Sequence, residues 1–304
     1  MKKFYVFAAV AIAALASCTK SEVVYNQGQQ EIGFRQFTGA MTKAEALSGY
    51  ASTMGVFAYH NGSTLYIDNG SFEETSTSGI WGGKPTKYYW PLQGTLDFTV
   101  YAPHQATGVN YGLNDKKLTV TIANNSSAQI DYLYGKMWYN EKSKVASVPV
   151  VLKHALSWVT INVGASANDI FTVSSVLLED TYQAGSYEVS YTTGTGVISS
   201  VTTDEPKVDM EFIASSPWEP TTNLTDCTAS KFVVPSNQTS ILITYKMAGS
   251  DAELTASIDL STGTPKWETG KHYTYNITLK ADEILFSPEV EEWAPAAESN
   301  HTIG

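Results

Sequence analysis

The chain has 304 residues, of which 19 are Lys or Arg and 30 are Asp or Glu, giving a formal net charge of −11 at pH 7. That sign argues against a nucleic-acid partner, which requires a positive footprint along the phosphates. Only two cysteines occur, Cys18 and Cys227, so no disulfide framework replaces the burial of a sizeable apolar core.

Lys2 and Lys3 precede an apolar run from Phe4 to Ala14, and Leu15-Ala16-Ser17-Cys18 follows. A basic start, a short apolar stretch and small residues before a cut are the parts of a secretory signal. The run is well short of the roughly 20 apolar residues that cross a bilayer as a helix. Its end has the form of a lipobox, which makes 1–17 a signal peptide and Cys18 the lipidated first residue of the exported chain. An ordinary signal peptide with an unmodified cysteine is the alternative. Removing 1–17 leaves 17 basic and 30 acidic residues, so the membrane link must be the lipid. Each buried CH₂ contributes about 0.8 kcal/mol, and stable anchoring takes more than one acyl chain.

Residues 18–30 are polar and read as a tether. Beyond them period-2 alternation dominates and helical periodicity is nearly absent. Ile32-Gly33-Phe34-Arg35-Gln36-Phe37 predicts an early strand with Ile32 and Phe34 on one face. Leu96/Phe98/Val100, Leu118/Val120/Ile122, Val159/Ile161/Val163 and Val208/Met210/Phe212 continue the pattern. Ile241/Ile243/Tyr245, Leu254/Ala256/Ile258/Leu260 and Tyr273/Tyr275/Ile277/Leu279 complete it. Such half-buried strands favour β-branched and aromatic residues. Turn formers separate them, as at Asn124-Asn125-Ser126-Ser127 and Thr193-Gly194-Thr195-Gly196. The pattern predicts an all-β chain of sandwich type. Its length fits two tandem domains, 31–152 and 153–304, joined between Pro149 and His154.

Chemistry-bearing motifs are lacking. The glycine-rich segment Gly79 to Pro85 does not have phosphate-loop spacing. There is no Gly-x-Ser-x-Gly elbow and no His-Glu-x-x-His. His60, His104, His154, His272 and His301 are scattered, and none has a second histidine or a cysteine at metal-ligand spacing. His154 opens an apolar strand and reads as hydrogen-bonded structure, and Cys227 as a small apolar residue. Glu289-Val290-Glu291-Glu292 reads as a solvated strand end in preference to a calcium site. No enzyme activity, catalytic residue, metal or cofactor is expected. Tyr and Trp number 25 together, which opens an alternative. Trp81 and Trp90, with Tyr88, Tyr89, Trp138 and Tyr139, would form a glycan platform on a monomeric surface lipoprotein. Against that, large rings also fill sandwich cores.

Three stretches carry a resemblance. The first is Tyr88-Tyr89-Trp90-Pro91 followed by Gly94-Thr95-Leu96-Asp97-Phe98-Thr99-Val100-Tyr101-Ala102-Pro103. The second is Leu152-Lys153-His154-Ala155-Leu156-Ser157-Trp158-Val159. The third runs from Trp267-Glu268-Thr269-Gly270-Lys271-His272-Tyr273 through Ile284-Leu285-Phe286-Ser287-Pro288 to Trp293. In this order, behind a lipobox, they resemble the fimbrillin family of Gram-negative surface lipoproteins. The resemblance implies two transthyretin-like β-sandwiches with Greek-key-type connections. It also implies a place in a type V pilus at the outer membrane and cell surface, supporting adhesion to a host or bacterial ligand.

In that family a trypsin-like protease removes the lipidated N-terminal segment of a stalk subunit, first strand included. A strand of a neighbouring pilus subunit then fills the groove, its main chain replacing the lost ladder. Head-to-tail contact of this kind propagates as a filament. Thr42-Lys43-Ala44 resembles the family's basic-residue-then-alanine cut, and Arg35 is the chain's only arginine. Lys43 is favoured, because a cut there releases the whole first strand. The plain alternative makes Arg35 a polar strand residue and Lys43 a solvated loop charge. Ile284 to Val290 is the apolar candidate for the donated C-terminal strand. Stalk, tip and anchor roles are not separated by the sequence.

Overall fold

A computed structural model describes residues 29–37, 53–77, 79–122, 129–140, 147–192, 195–213, 216–261, 266–293 and 302–303. Apart from a short 3₁₀ turn at Leu224–Asp226, the regular structure described is all β. The N-terminal half supplies β1 (Gly33–Phe37), β2 (Thr53–His60), β3 (Thr64–Glu74), β4 (Trp81–Gly83) and β5 (Thr95–Ala102). It continues with β6 (Val109–Tyr111), β7 (Leu118–Thr121), β8 (Gln129–Ile130), β9 (Leu133–Asn140), β10 (Val148–Val151) and β11 (Lys153–His154). The C-terminal half supplies β12 (Ser157–Ala165), β13 (Phe171–Thr192), β14 (Thr195–Glu211), β15 (Thr228–Val233) and β16 (Ser240–Met247). It ends with β17 (Leu254–Asp259), β18 (Lys271–Leu279), β19 (Ile284–Glu292) and β20 (Thr302–Ile303).

One sheet of eight strands has the order β10-β1-β4-β3-β2-β5-β9-β11. The short run Val148–His154 stands at both of its ends, parallel to β1 through β10 and antiparallel to β9 through β11. The sheet therefore curls and closes on itself. Gly135 of β9 marks the closest approach, since a Cβ there would overlap the Val151 carbonyl oxygen. Ile32, Phe34, Met54, Val56, Phe72, Trp81 and Phe98 fill the interior.

A four-stranded sheet, β15-β12-β18-β19, and a second one, β17-β16-β13-β7-β6 with β14 beside β13, share the other core. Val159, Ile161 and Val163 of β12 and Tyr273, Tyr275, Ile277 and Leu279 of β18 are buried there, as their alternation predicts. Leu254 is exposed instead. Its strand β17 lies at a sheet edge and, among the described residues, pairs with β16 alone.

The two cores interlock. β2 is buried along nearly its whole length: Met54, Val56 and Ala58 face the closed sheet's interior, whereas Phe57 and Tyr59 belong to the second core. The hairpin β6–β7 comes from the N-terminal half, yet β7 pairs with Ala184–Tyr187 of β13. The junction expected between Pro149 and His154 falls within β10 and β11, the closing run. β13 and β14 form a long hairpin, paired from Leu177↔Glu211 to Thr192↔Thr195.

Candidate functional site

The geometry singles out β1. Its backbone pairs with β4 at Gly33↔Gly82 and Phe34↔Trp81, and runs parallel to β10 from Phe34↔Val148 to Phe37↔Val151. Just upstream, the Ile32 N–H donates to the Tyr88 carbonyl at 2.8 Å and the Trp90 N–H donates to the Gln30 carbonyl at 2.9 Å. Glu31 forms an ion pair with Lys87 at 2.8 Å, but both side chains are solvated, so it adds little. What holds β1 is burial. Ile32 and Phe34 are 0% exposed, and burying each such side chain is worth roughly 1.5–3 kcal/mol. The Phe34 ring meets Phe72 edge-on at 4.9 Å and Phe98 at 5.3 Å.

Arg35 points away from this interior and is exposed on β1. Gln36 is buried on the same face as Ile32 and Phe34, where the two-residue pleat places it despite its polarity. Cys18 and Lys43 lie outside the described residues, as does the side chain of Trp138. Trp81 and Trp90, the rings of the glycan alternative, are 0% and 1% exposed. Trp90 packs edge-on against Phe98 at 5.8 Å. Neither ring offers a face to a sugar, because both fill the closed sheet.

The candidate donor, β19, is an edge strand that pairs antiparallel with β18 from Leu279↔Ile284 to Lys271↔Glu292. Ile284 and Phe286 are half-buried, with Phe286 stacked on Tyr275 at 5.8 Å. Leu285 and Val290 are exposed. Pro288 and three glutamates blunt the open edge. The carboxylates of the expected acidic strand end serve the ladder: Glu289 accepts from the Asn276 amide at 3.1 Å and Glu291 contacts His272 at 2.8 Å.

Trp293 pins the end of this strand. Its N–H donates to the Gly270 carbonyl at 2.9 Å. The ring stacks on His154 at 3.7 Å and on Phe232 at 5.0 Å. His154 in turn holds Asp131 through Nδ1 at 2.9 Å, the structural role its sequence position suggests. Cys227 is buried, and desolvation pushes its thiol up from the ordinary value, so it is a poor nucleophile.

No group of three metal-ligating side chains occurs among the described residues. The features that stand out are strand edges, a buried first strand and paired ladders. A family model of fimbrillin-like proteins matches residues 42–293. The chain belongs to the fimbrillin-like family, whose members are structural fimbrial proteins and not enzymes.

Solved structures share the fold. A candidate cell adhesion protein from Bacteroides uniformis superposes with a TM-score of 0.59 at 16% identity, covering 87% of this chain and 99% of that one. A fimbrial protein from Bacteroides vulgatus gives 0.55 at 20% identity, with coverage of 87% and 100%. A third structure, a candidate cell adhesion protein from Bacteroides eggerthii, gives 0.58 at 13% identity, covering 87% and 96%. No similarity to a curated protein reaches significance.

Proposed function

We propose that this fimbrillin-like protein is a pilus subunit of the cell surface, exported as an outer-membrane lipoprotein on Cys18 and polymerised by strand exchange at β1. A processing protease cuts after Lys43, or after Arg35, and removes the tether. The observation that carries the proposal is the position of β1, wedged between β4 and β10 with Ile32 and Phe34 in the core. Its removal leaves an apolar slot whose flanking strands have unpaired main-chain groups, and such groups in an apolar setting are costly. A strand from another subunit relieves both costs at once. Ile284 and Phe286 of β19 repeat the spacing of Ile32 and Phe34, and among the described residues β19 pairs on one side. A neighbouring subunit's β19 therefore fits as the donor.

Limited trypsin digestion of the purified protein tests this. A new N-terminus at Ala44 or Gln36, a resistant core and concentration-dependent oligomers by light scattering are expected. The double variant Arg35→Ala/Lys43→Ala should keep its first strand attached and stay monomeric under the same conditions. Trimmed protein that remains monomeric at high concentration, or a core digested before the N-terminus, contradicts the proposal.

A further inference from the structure

One short run of chain joins the slot at β1 to the far end of β19. β10 stands at the end of the closed sheet and, among the described residues, pairs with β1 alone. Val148, Val150 and Leu152 belong to the core that holds Ile32 and Phe34, whereas Ala155 and Leu156 belong to the other core. Leu152 is the single residue between β10 and β11. No loop is therefore available to absorb a displacement of β10 before it reaches His154.

The same run clasps the end of β19. The Gly270 N–H donates to the Leu156 carbonyl at 2.9 Å, and the Trp293 N–H donates to the Gly270 carbonyl at 2.9 Å. Gly270 has φ +68°, a left-handed conformation that glycine adopts without the penalty a Cβ brings. Alongside this relay the His154 ring lies nearly flat on Trp293, at 3.7 Å and an interplanar angle of 12°.

Trp293 matters to β19 because little else on that strand is buried. Ile284 and Phe286 are half-buried and the residues from Ser287 to Glu292 are exposed. Trp293, at 6%, is the one buried side chain between Ile284 and itself. A buried indole contributes a large apolar area, so Trp293 is the second hold on β19 after the β18 ladder.

The rings around Trp293 differ in how they are fixed. Phe232, at 5.0 Å, is gripped by the Gln129 amide: its N–H donates to Oε1 at 2.6 Å, and Nε2 donates to its carbonyl at 3.1 Å. Trp158, at 5.7 Å, sits on β12, which is paired on both sides by β15 and β18. His154 is the ring carried by the run that continues from β10, and its pairing with Leu133 belongs to a two-residue ladder. Of the three, it is the one whose place depends on the closed sheet.

We propose that Trp293 is a latch on β19, and that the run Val148–Leu156 couples its release to the loss of β1. Without β1, β10 has no ladder partner and its inward valines face an empty slot. The run then moves, His154 withdraws from the indole, and β19 keeps only its ladder with β18. This coupling rests on the reading of β1 as the strand removed by processing and β19 as the strand donated. It adds an order of events: a subunit holds its own donor strand closed until its acceptor slot is open. Coupling between two sites is reciprocal, so loosening Trp293 also loosens β10 and β1.

Hydrogen exchange on the full-length, uncut protein reads both directions. Phe34→Ala should speed exchange in peptides covering Val290–Trp293 about tenfold, a usual size for coupling between distant sites, with β16 unchanged. Phe34→Leu gives the same test with the core less disturbed. Trp293→Phe, and more strongly Trp293→Ala, should speed exchange in peptides covering 33–37 and 148–151. Val290→Ala, at an exposed position on β19, should not. In a His154→Ala background the effect of Phe34→Ala on β19 should vanish, the signature of coupling through that ring. Unchanged exchange at Val290–Trp293 in both Phe34 variants, or an effect there that persists at full size without His154, overturns the latch. Neither result depends on cleavage, so the latch can fail while trimmed protein still polymerises, and can stand while it does not.

Discussion

Phe34→Ala tests how β1 is held. The substitution removes a ring with no exposed surface and two edge-on partners, Phe72 and Phe98. Truncating a buried Phe costs about 3–5 kcal/mol, and each aromatic pair supplies about 0.5–1.5 kcal/mol beyond its area. A loss of about 4 kcal/mol is therefore expected. Because β1 has only two partner positions on β4 and four on β10, the loss should appear first as local opening of that strand. Hydrogen exchange read by mass spectrometry on peptides covering 33–37 and 148–151 measures it. At 1.4 kcal/mol per tenfold, exchange there should accelerate by roughly a thousandfold, while peptides from β12 and β18 change little. Arg35→Ala, at an exposed position on the same strand, should stay within about 0.5 kcal/mol of the parent. An acceleration below about fivefold at β1, or an equal one in β18, contradicts a separately held first strand.

Gly135→Ala should destabilise the closed sheet by about 1–3 kcal/mol through overpacking, since the new methyl meets the Val151 carbonyl. Urea unfolding checks this, and an unchanged midpoint refutes the closure at β9. Burial raises the phenols of Tyr111, Tyr134 and Tyr187 above their ordinary value of 10.0. All three stay protonated in the fold but ionise near that value once unfolded. Their contribution is intact below pH 10, and stability falls as pH rises beyond it. A phenolate absorbance titration should show the exposed tyrosines first and these three only with unfolding. One reversible phase with unchanged circular dichroism contradicts their burial.

Much of the architecture is local and could be read directly. Alternation at Val159/Ile161/Val163 and at Tyr273/Tyr275/Ile277/Leu279 identifies strands and their inward faces, because successive side chains on a pleated strand point opposite ways. The same rule picked Ile32 and Phe34 as the inner face of the first strand. The lipobox-like stretch ending at Cys18 and the basic residues Arg35 and Lys43 are likewise short sequence patterns, and the roles given to them are proposals.

The sequence by itself thus determined the all-β class, the strand faces and the family, all of which rest on short-range patterns or ordered motifs. Only the tertiary structure decided which strands meet. That β12 lies parallel to β18, more than a hundred residues away, and that Val148–His154 closes the first sheet, follow from long-range pairing with no local signature. It also decided which aromatic rings are inside. Trp81 and Trp90 have the composition of a sugar platform, but the curl of the sheet places both in its core, and β2 shows the same limit. The pleat sets two faces for that strand, and only the packing of β6, β7 and β13 against the closed sheet buries both.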